Sequence, residues 1–299
     1  MDAFHVLEWN VPLKDEGKKL KSFLRQTKGM SSSTWKTVKK DGHLIINNES
    51  ASGYDILEDG DRIAVYLPAV SFPSGIPRTP LPLSILYEDK HLLIVNKPPK
   101  LPTLPGRGQE QETLAGAVRH YYEKNNINAS FHAVSRLDRD TSGIVTIAKH
   151  RYAHQRLAAF FYNNQGLKKY TGIVKGEWFP KTGTILAPIE KRPDSIVKQH
   201  VVTNGKNART DFRVEQRGRG LSLVTFTLYT GRTHQIRIHS SYVGHPLVGD
   251  DLYGGLSIEI PRQALHAKEL NFCHPVTDTW HKIDAPIPED MRNLWDGDD

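Results

Sequence analysis

Cysteine is nearly absent: Cys273 is the one thiol in 299 residues. No internal disulfide or cysteine-based zinc cluster can form, which suits a reducing compartment, and Cys273 is expected to pack as a small buried hydrophobe. Long apolar runs are missing as well. None approaches the roughly 20 residues that cross a bilayer, and the opening MDAFHVLEWNVPLKDEG has neither a basic start nor an apolar stretch of the export type. The expectation is a cytoplasmic protein with no membrane partner. No glycine-rich phosphate loop occurs, so no nucleotide or redox cofactor is expected, and without a heptad seam the chain is expected to be a monomer.

What is present is an ordinary globular composition with a positive surplus. Hydrophobic residues make up 38% of the chain, enough for at least one sizeable core. Net charge is +7 with a pI near 9.3. Such a surplus suits a polyanionic partner, because neutralising phosphates releases condensed counterions. Residues 1–68 balance ten basic against ten acidic groups, yet 14–40 holds nine Lys/Arg against Asp15 and Glu16. This region is neutral overall and polarised.

Within it, GKKLKSFLRQTKG (17–29) spaces Leu20, Phe23 and Leu24 at helical intervals, and SSSTWKTVKKDG (31–42) reads as a serine-capped helix closed by a glycine turn. On the second helix Lys36, Lys39 and Lys40 share one face, while Trp35 and Val38 point to a core. By itself such a stripe is more often a solvated face than a binding site. HLIINN and RIAVYLP then read as short strands. Residues 69–82, with four prolines and two serines, read as a linker. From 83 to 299 the pattern is mainly β with interposed helices. HLLIVNK, GIVTIAK, KKYTGIVKGE and LSLVTFTLYTG are the predicted strands; TLAGAVRHYYEKN, YAHQRLAAFFYNN and HQIRIHSSYVG are the predicted helices.

Two clusters could carry chemistry. In AVSRLDRDTSGIVTIAKH (133–150), Arg136, Asp138, Arg139 and Asp140 stand at the mouth of a strand apolar on both faces. In an extended segment the two aspartates face the same way. A surface ion-pair network explains the charges equally well, and the residues alone do not choose between Asp138 and Asp140. In TGRTHQIRIHSSYVGHPLVGDDLYGG (230–255), His234, His239 and His245 suggest a metal, but His234 and His239 are five apart, whereas a helical zinc pair needs i, i+4. No metal is expected. Arg232 and Arg237 are also five apart, so a regular helix cannot aim both into one pocket.

Taken together the motifs carry a resemblance. RLDRDTSG (136–143), KKYTGIVKG (168–176), NARTDFRV (207–214), GRTHQIRIH (231–239), GHPLVGDDLYG (244–254) and LHAKELNFCHP (265–275) stand in the order of the RluA-type pseudouridine synthases, and ILYEDKHLLIVNKP (85–98) is similar to that family's opening strand. Residues 15–68 resemble the alpha-L RNA-binding module of a ribosomal small-subunit protein. The fold this implies is α+β: a catalytic domain on a mixed, largely antiparallel sheet with flanking helices, plus a small N-terminal RNA-binding module. The resemblance makes Asp138 the catalytic carboxylate, Arg136 the side chain that fills the gap left by a flipped nucleotide, Tyr170 the ring against the target base, and Arg237 the salt-bridge partner of Asp138. Two positions depart from the family: Ser135 stands where it usually has histidine, and Lys100 replaces the glycine common after NKPP. Altered positioning, not lost activity, is expected from Ser135.

These residue types suit the chemistry implied. Turning uridine into its C-glycoside breaks N1–C1′, rotates the uracil and joins C5 to C1′ in one water-poor pocket. The base must be flipped out, at a few kcal/mol. A carboxylate can then act as nucleophile or base, and a neighbouring cation typically lowers a carboxyl pKa by about 1–3 units. Ribosomal RNA is the family default substrate, with transfer RNA as the other candidate. The rival readings are an RNA-binding or ribosome-assembly factor that keeps the fold without the chemistry, and a hydrolase that would free uracil.

Overall fold

The computed structural model of the chain describes residues 4–106, 112–195 and 197–296. The N-terminal module begins with a strand absent from the expectations above, β1 (Phe4–Asn10). Its Leu7 and Trp9 face inward and alternate with exposed residues. The first predicted helix is shorter than its periodicity suggests: α1 (Leu20–Ser22) loosens into a wide turn over Phe23–Thr27. The second, α2 (Ser32–Asp41), is capped by Ser31, whose hydroxyl accepts the Thr34 N–H at 3.1 Å. The short strands β2 (His43–Ile46) and β3 (Glu49–Ser50) and the longer β4 (Arg62–Pro68) complete a sheet in the order β1-β4-β2-β3.

A second sheet organises the rest. It comprises β5 (Ile85–Glu88), β6 (Leu92–Lys97), β7 (His132–Ala133), β8 (Ser142–Ala148), β9 (Leu167–Lys175), β10 (Thr182–Leu186), β13 (Arg209–Gly218), β14 (Leu221–Leu228), β15 (Leu265–Cys273) and β16 (Trp280–Asp284), with a separate small ribbon of β11 (Ile189–Lys191) and β12 (Gln199–Val201). The main order is β10-β13-β14-β9-β15-β8-β6-β5. Every pairing is antiparallel except the central contact of β8 with β15, which lasts two residues, His266 to Ser142 and Ala267 to Gly143. Beyond it β16 takes over the edge of β15. The fold is therefore α+β on a mixed, largely antiparallel sheet. At the junction Gly143 has φ +111°, and a Cβ there would lie 2.3 Å from the Ala267 carbonyl oxygen, so only glycine permits the approach. Helices α3 (Leu114–Lys124), α4 (Arg151–Tyr162), α5 (Gln235–Tyr242) and α6 (Glu289–Asp296) pack around the sheet. None in the described residues is long and apolar enough to cross a membrane.

Residues 69–82 lie on the protein instead of spanning solvent. Ile76 is buried in the main core, Thr79 donates its N–H to Gly116 in α3, and Arg119 of that helix donates to the Ile76 carbonyl at 2.7 Å. The N-terminal module is docked on α4. Tyr152 is fully buried among the module's apolar residues, its ring 5.7 Å from Trp9, and its hydroxyl donates to the Lys28 carbonyl at 2.7 Å. Trp9 Nε1 donates in turn to the Val276 carbonyl. Cys273 is only half-buried, a correction to its expected place in the core.

Histidines line this seam. His5 of β1 lies 5.0 Å from His150, whose Nε2 is 3.0 Å from His91 Nδ1. Burial lowers the pKa of each, that of His91 to about 4. Their folded values lie below the unfolded value of 6.5, so the unfolded chain binds more protons between those limits, and stability falls as pH drops through that window. A histidine shifted like His91 costs about 2 kcal/mol at pH 5 relative to neutrality. The melting temperature is expected to fall by roughly 5–10 °C from pH 7 to pH 5. A flat calorimetric profile over that range would exclude this account.

Candidate active site

The site is built where β8 leaves β15. The chain before β8 is turned, not extended, with the Thr141 N–H returning to the Asp138 carbonyl, so Asp138 and Asp140 do not share a face in the way alternation suggested. Three buried side chains from elsewhere grip this turn by its carbonyls. Thr103 donates to Leu137, Lys97 to Arg139 and Arg262 to Asp140, at 3.0, 3.0 and 3.2 Å. Lys97 is fully buried at the end of β6 and also donates to Pro98 and Leu101. Burial holds its pKa down to about 7, against the opposing pull of Asp140 and Asp138. Arg262 is anchored by a bidentate pair with Asp290 of α6 at 2.6 and 2.7 Å. The backbone carrying Asp138 is thereby fixed by groups from both halves of the sheet.

Asp138 keeps part of its side chain open to solvent and faces two basic groups. Arg237 Nη1 lies 3.5 Å from its Oδ2, and His234 Nε2 lies 3.8 Å from the same oxygen. The expected ion pair between Arg237 and Asp138 is therefore present, and it is the weaker of the two main ties this arginine makes. Arg237 makes its strong, bidentate pair with fully buried Asp250, through Nε and Nη2 at 2.8 Å each. Burial works against the Arg237 cation, but Asp250 outweighs it and pushes the guanidinium above its usual pKa. One edge of a fixed cation is thus left for Asp138. Asp250 also accepts the N–H groups of Leu252 and Tyr253, which ties the GDDLYG turn to the same cation.

Tyr170 sits mid-strand in β9, opposite Phe226 on one side and Ala267 on the other. Burial, and after it the charge of Asp138, raises its phenol well above the ordinary value, so it is neutral. Arg136 is exposed, with no hydrogen bond or ion pair among the described residues. Lys36, Lys39 and Lys40 lie exposed on α2 and make no hydrogen bond or ion pair with this group among the described residues. Lys39 instead lines a cavity of about 300 Å³ in the N-terminal module together with Lys21, Trp35 and Tyr54.

The sequence pattern described as RNA pseudouridylate synthase matches residues 91–242, a span that contains Asp138, Tyr170 and Arg237. The chain belongs to the RNA pseudouridine synthase family. An uncharacterized RNA pseudouridine synthase of Bacillus subtilis, YjbO, is 42% identical over 86% of this chain and 91% of its own length. The ribosomal large subunit pseudouridine synthase D of Xanthomonas campestris is 34% identical over 85% of this chain and 81% of its own length. Among solved structures, human RNA pseudouridylate synthase domain containing 1 superposes with a TM-score of 0.58 at 27% identity, over 70% of this chain and 85% of that one.

The two departures from the family pattern have local explanations in this pseudouridine synthase. The Ser135 hydroxyl accepts the Thr146 N–H of β8 at 3.3 Å, so the serine keeps one tie to the strand. Lys100 has φ +62°, the left-handed region that explains why glycine is usual there. The three histidines of the second motif part company. His239 is a core residue bonded to Thr210 and the Ala187 carbonyl, and His245 stacks on Trp178, while His234 alone reaches the site. Arg232 lies in the loop before α5, exposed, and donates to the Asn207 carbonyl. Lys97, Thr103, Asp250 and Arg262 were not singled out from the sequence. Lysine directly before two prolines and aspartate in a GDD turn both read as ordinary surface residues until burial is known.

Proposed function

We propose that this pseudouridine synthase isomerises uridines in structured RNA, ribosomal RNA before transfer RNA, with Asp138 as its catalytic carboxylate. The arrangement that carries this reading is the Asp138 carboxylate, partly open, beside a guanidinium already fixed by Asp250. Asp138 either attacks C1′ or removes a sugar proton; in both cases N1–C1′ breaks and the uracil is freed. Neutral, buried Tyr170 offers an apolar face against which the detached ring can turn in plane. C5 then bonds to C1′ as the Asp138–C1′ ester breaks or, in the other case, as Asp138 returns the proton to the sugar; the C5 proton leaves to solvent and N1 takes one up, so the product is an isomer of the substrate and Asp138 is regenerated. Arg136, exposed and without a side-chain partner among the described residues, is suited to fill the stack that the flipped nucleotide leaves. Lys36, Lys39 and Lys40 would hold RNA phosphates on the N-terminal module, whose packing against α4 fixes its place on the catalytic domain.

The test uses RNA carrying tritium at C5 of uridine. The wild-type protein is expected to release tritium into water from a large-subunit ribosomal RNA fragment more efficiently than from transfer RNA, with no free uracil. Tritium-free binding would favour an assembly factor, and free uracil a hydrolase.

A further inference from the structure

His234 is the unusual residue of the site. It is not glycine, yet its backbone sits in the left-handed region at φ 57°, ψ 21°, directly before α5. Such a conformation is costly and persists only where its surroundings enforce it. Here they do: the buried Gln235 side chain accepts from the Thr230 hydroxyl and the Arg232 N–H and donates to the Arg209 carbonyl and the Thr210 hydroxyl, clamping the loop. The result aims the two edges of one imidazole at two different partners. Nδ1 lies 2.9 Å from the Tyr253 hydroxyl and Nε2 lies 3.8 Å from Asp138 Oδ2.

The tautomer follows from counting protons. The Tyr253 oxygen already accepts the Gln199 N–H at 3.0 Å, and its own proton has the His234 ring nitrogen within reach. If Nδ1 carried the ring proton, the tyrosine oxygen would receive two N–H donors, its hydroxyl proton would lose that acceptor, and the bare Nε2 lone pair would confront a carboxylate. With the proton on Nε2 the tyrosine and Nδ1 are matched, and Nε2 presents a proton instead of a lone pair to the carboxylate 3.8 Å away. Tyr253 donates to Nδ1, and Nε2–H points at Asp138.

We propose that His234 is a positioning residue: a neutral imidazole, locked by Tyr253 as its Nε2–H tautomer, that presents this N–H to the Asp138 carboxylate across 3.8 Å and, beside Arg237, biases its orientation electrostatically. Arg237 cannot do this alone, because two of its three nitrogens are committed to Asp250. The charged and titratable groups around the ring are Asp138, Arg237, Asp250, Asp251 and Tyr253. Burial outweighs the pull of Asp138 and keeps the ring's pKa below its ordinary value, so the neutral form is present at neutral pH. Protonation at acid pH turns Nδ1 from acceptor to donor and breaks its match with Tyr253. The proposal rests on Asp138 being the catalytic group.

The test combines kinetics with a direct readout of the tautomer. His234→Ala is expected to lower kcat by about 10²-fold, as a misdirected catalytic group does, with KM for RNA changed less than about threefold. His234→Gln, whose amide can still donate, should recover part of the loss. Tyr253→Phe should lower kcat by about tenfold and move the acidic limb of the pH–rate profile, while His234→Ala/Tyr253→Phe should be no worse than His234→Ala, because the tyrosine acts through the histidine. Two-bond ¹H–¹⁵N spectra of the histidine-labelled wild-type protein should report Nε2–H for His234. An Nδ1–H tautomer, additive losses in the double variant, or unchanged kcat in His234→Ala would each overturn the proposal. If Asp138→Asn is inactive while His234→Ala is fully active, only this inference fails; if Asp138→Asn is active, the reading beneath it fails as well.

Discussion

Asp138→Asn should abolish pseudouridine formation, lowering kcat by at least ~10³-fold, because the amide keeps the shape of the side chain and removes the negative charge that either mechanism requires. The fold should not notice. The carboxylate is partly exposed, and its contacts with Arg237 and His234 are long, at 3.5 and 3.8 Å. The turn that carries it is held through backbone carbonyls by Thr103, Lys97 and Arg262, none of which touches the substituted group. A melting temperature within about 2 °C of wild type is therefore expected, together with normal RNA affinity. Tritium release at the wild-type rate by this variant would remove Asp138 from the mechanism.

Asp250→Ala should damage both stability and activity. Arg237 is 4% exposed and depends on Asp250 for two hydrogen bonds and charge compensation. Removing one partner of a buried pair leaves an uncompensated charge, typically at a cost of about 3–5 kcal/mol. The melting temperature should fall by on the order of 10 °C, and a freed guanidinium would turn toward Asp138 and clamp it. Residual folded protein should lose at least ~10²-fold in kcat. The double variant Asp250→Leu/Arg237→Met separates the two effects. It removes both charges and should regain most of the stability while remaining inactive. Full activity in the double variant would show that the pair serves the fold alone.

How much of this was legible beforehand differs from element to element. The strands at 143–149 and 168–177 and the helices at 113–125 and 152–164 were readable because their side-chain periodicity is local and strong. β1 was not, since a seven-residue alternation near the chain start means little until β4 supplies its partner. The first helix was over-read, because Leu20, Phe23 and Leu24 keep helical spacing even where the backbone widens into a looser turn. The residues 69–82 have the composition of a free tether, and their attachment to α3 depends on hydrogen bonds to Ile76 and Thr79 that no composition records.

At the site the division is sharper. Sequence by itself determined the α+β class, the ordered motifs that mark the family, and Asp138, Tyr170 and Arg237 as a set worth testing, because motif order and residue type survive without coordinates. Tertiary structure decided who holds whom: that Asp250 anchors Arg237, that Lys97 and Arg262 grip the turn of Asp138, and that one of three histidines faces the carboxylate. Those pairings join residues 13 to 122 positions apart. Electrostatic and hydrogen-bond energies depend on distances of a few ångströms and on burial, and only the folded chain sets either.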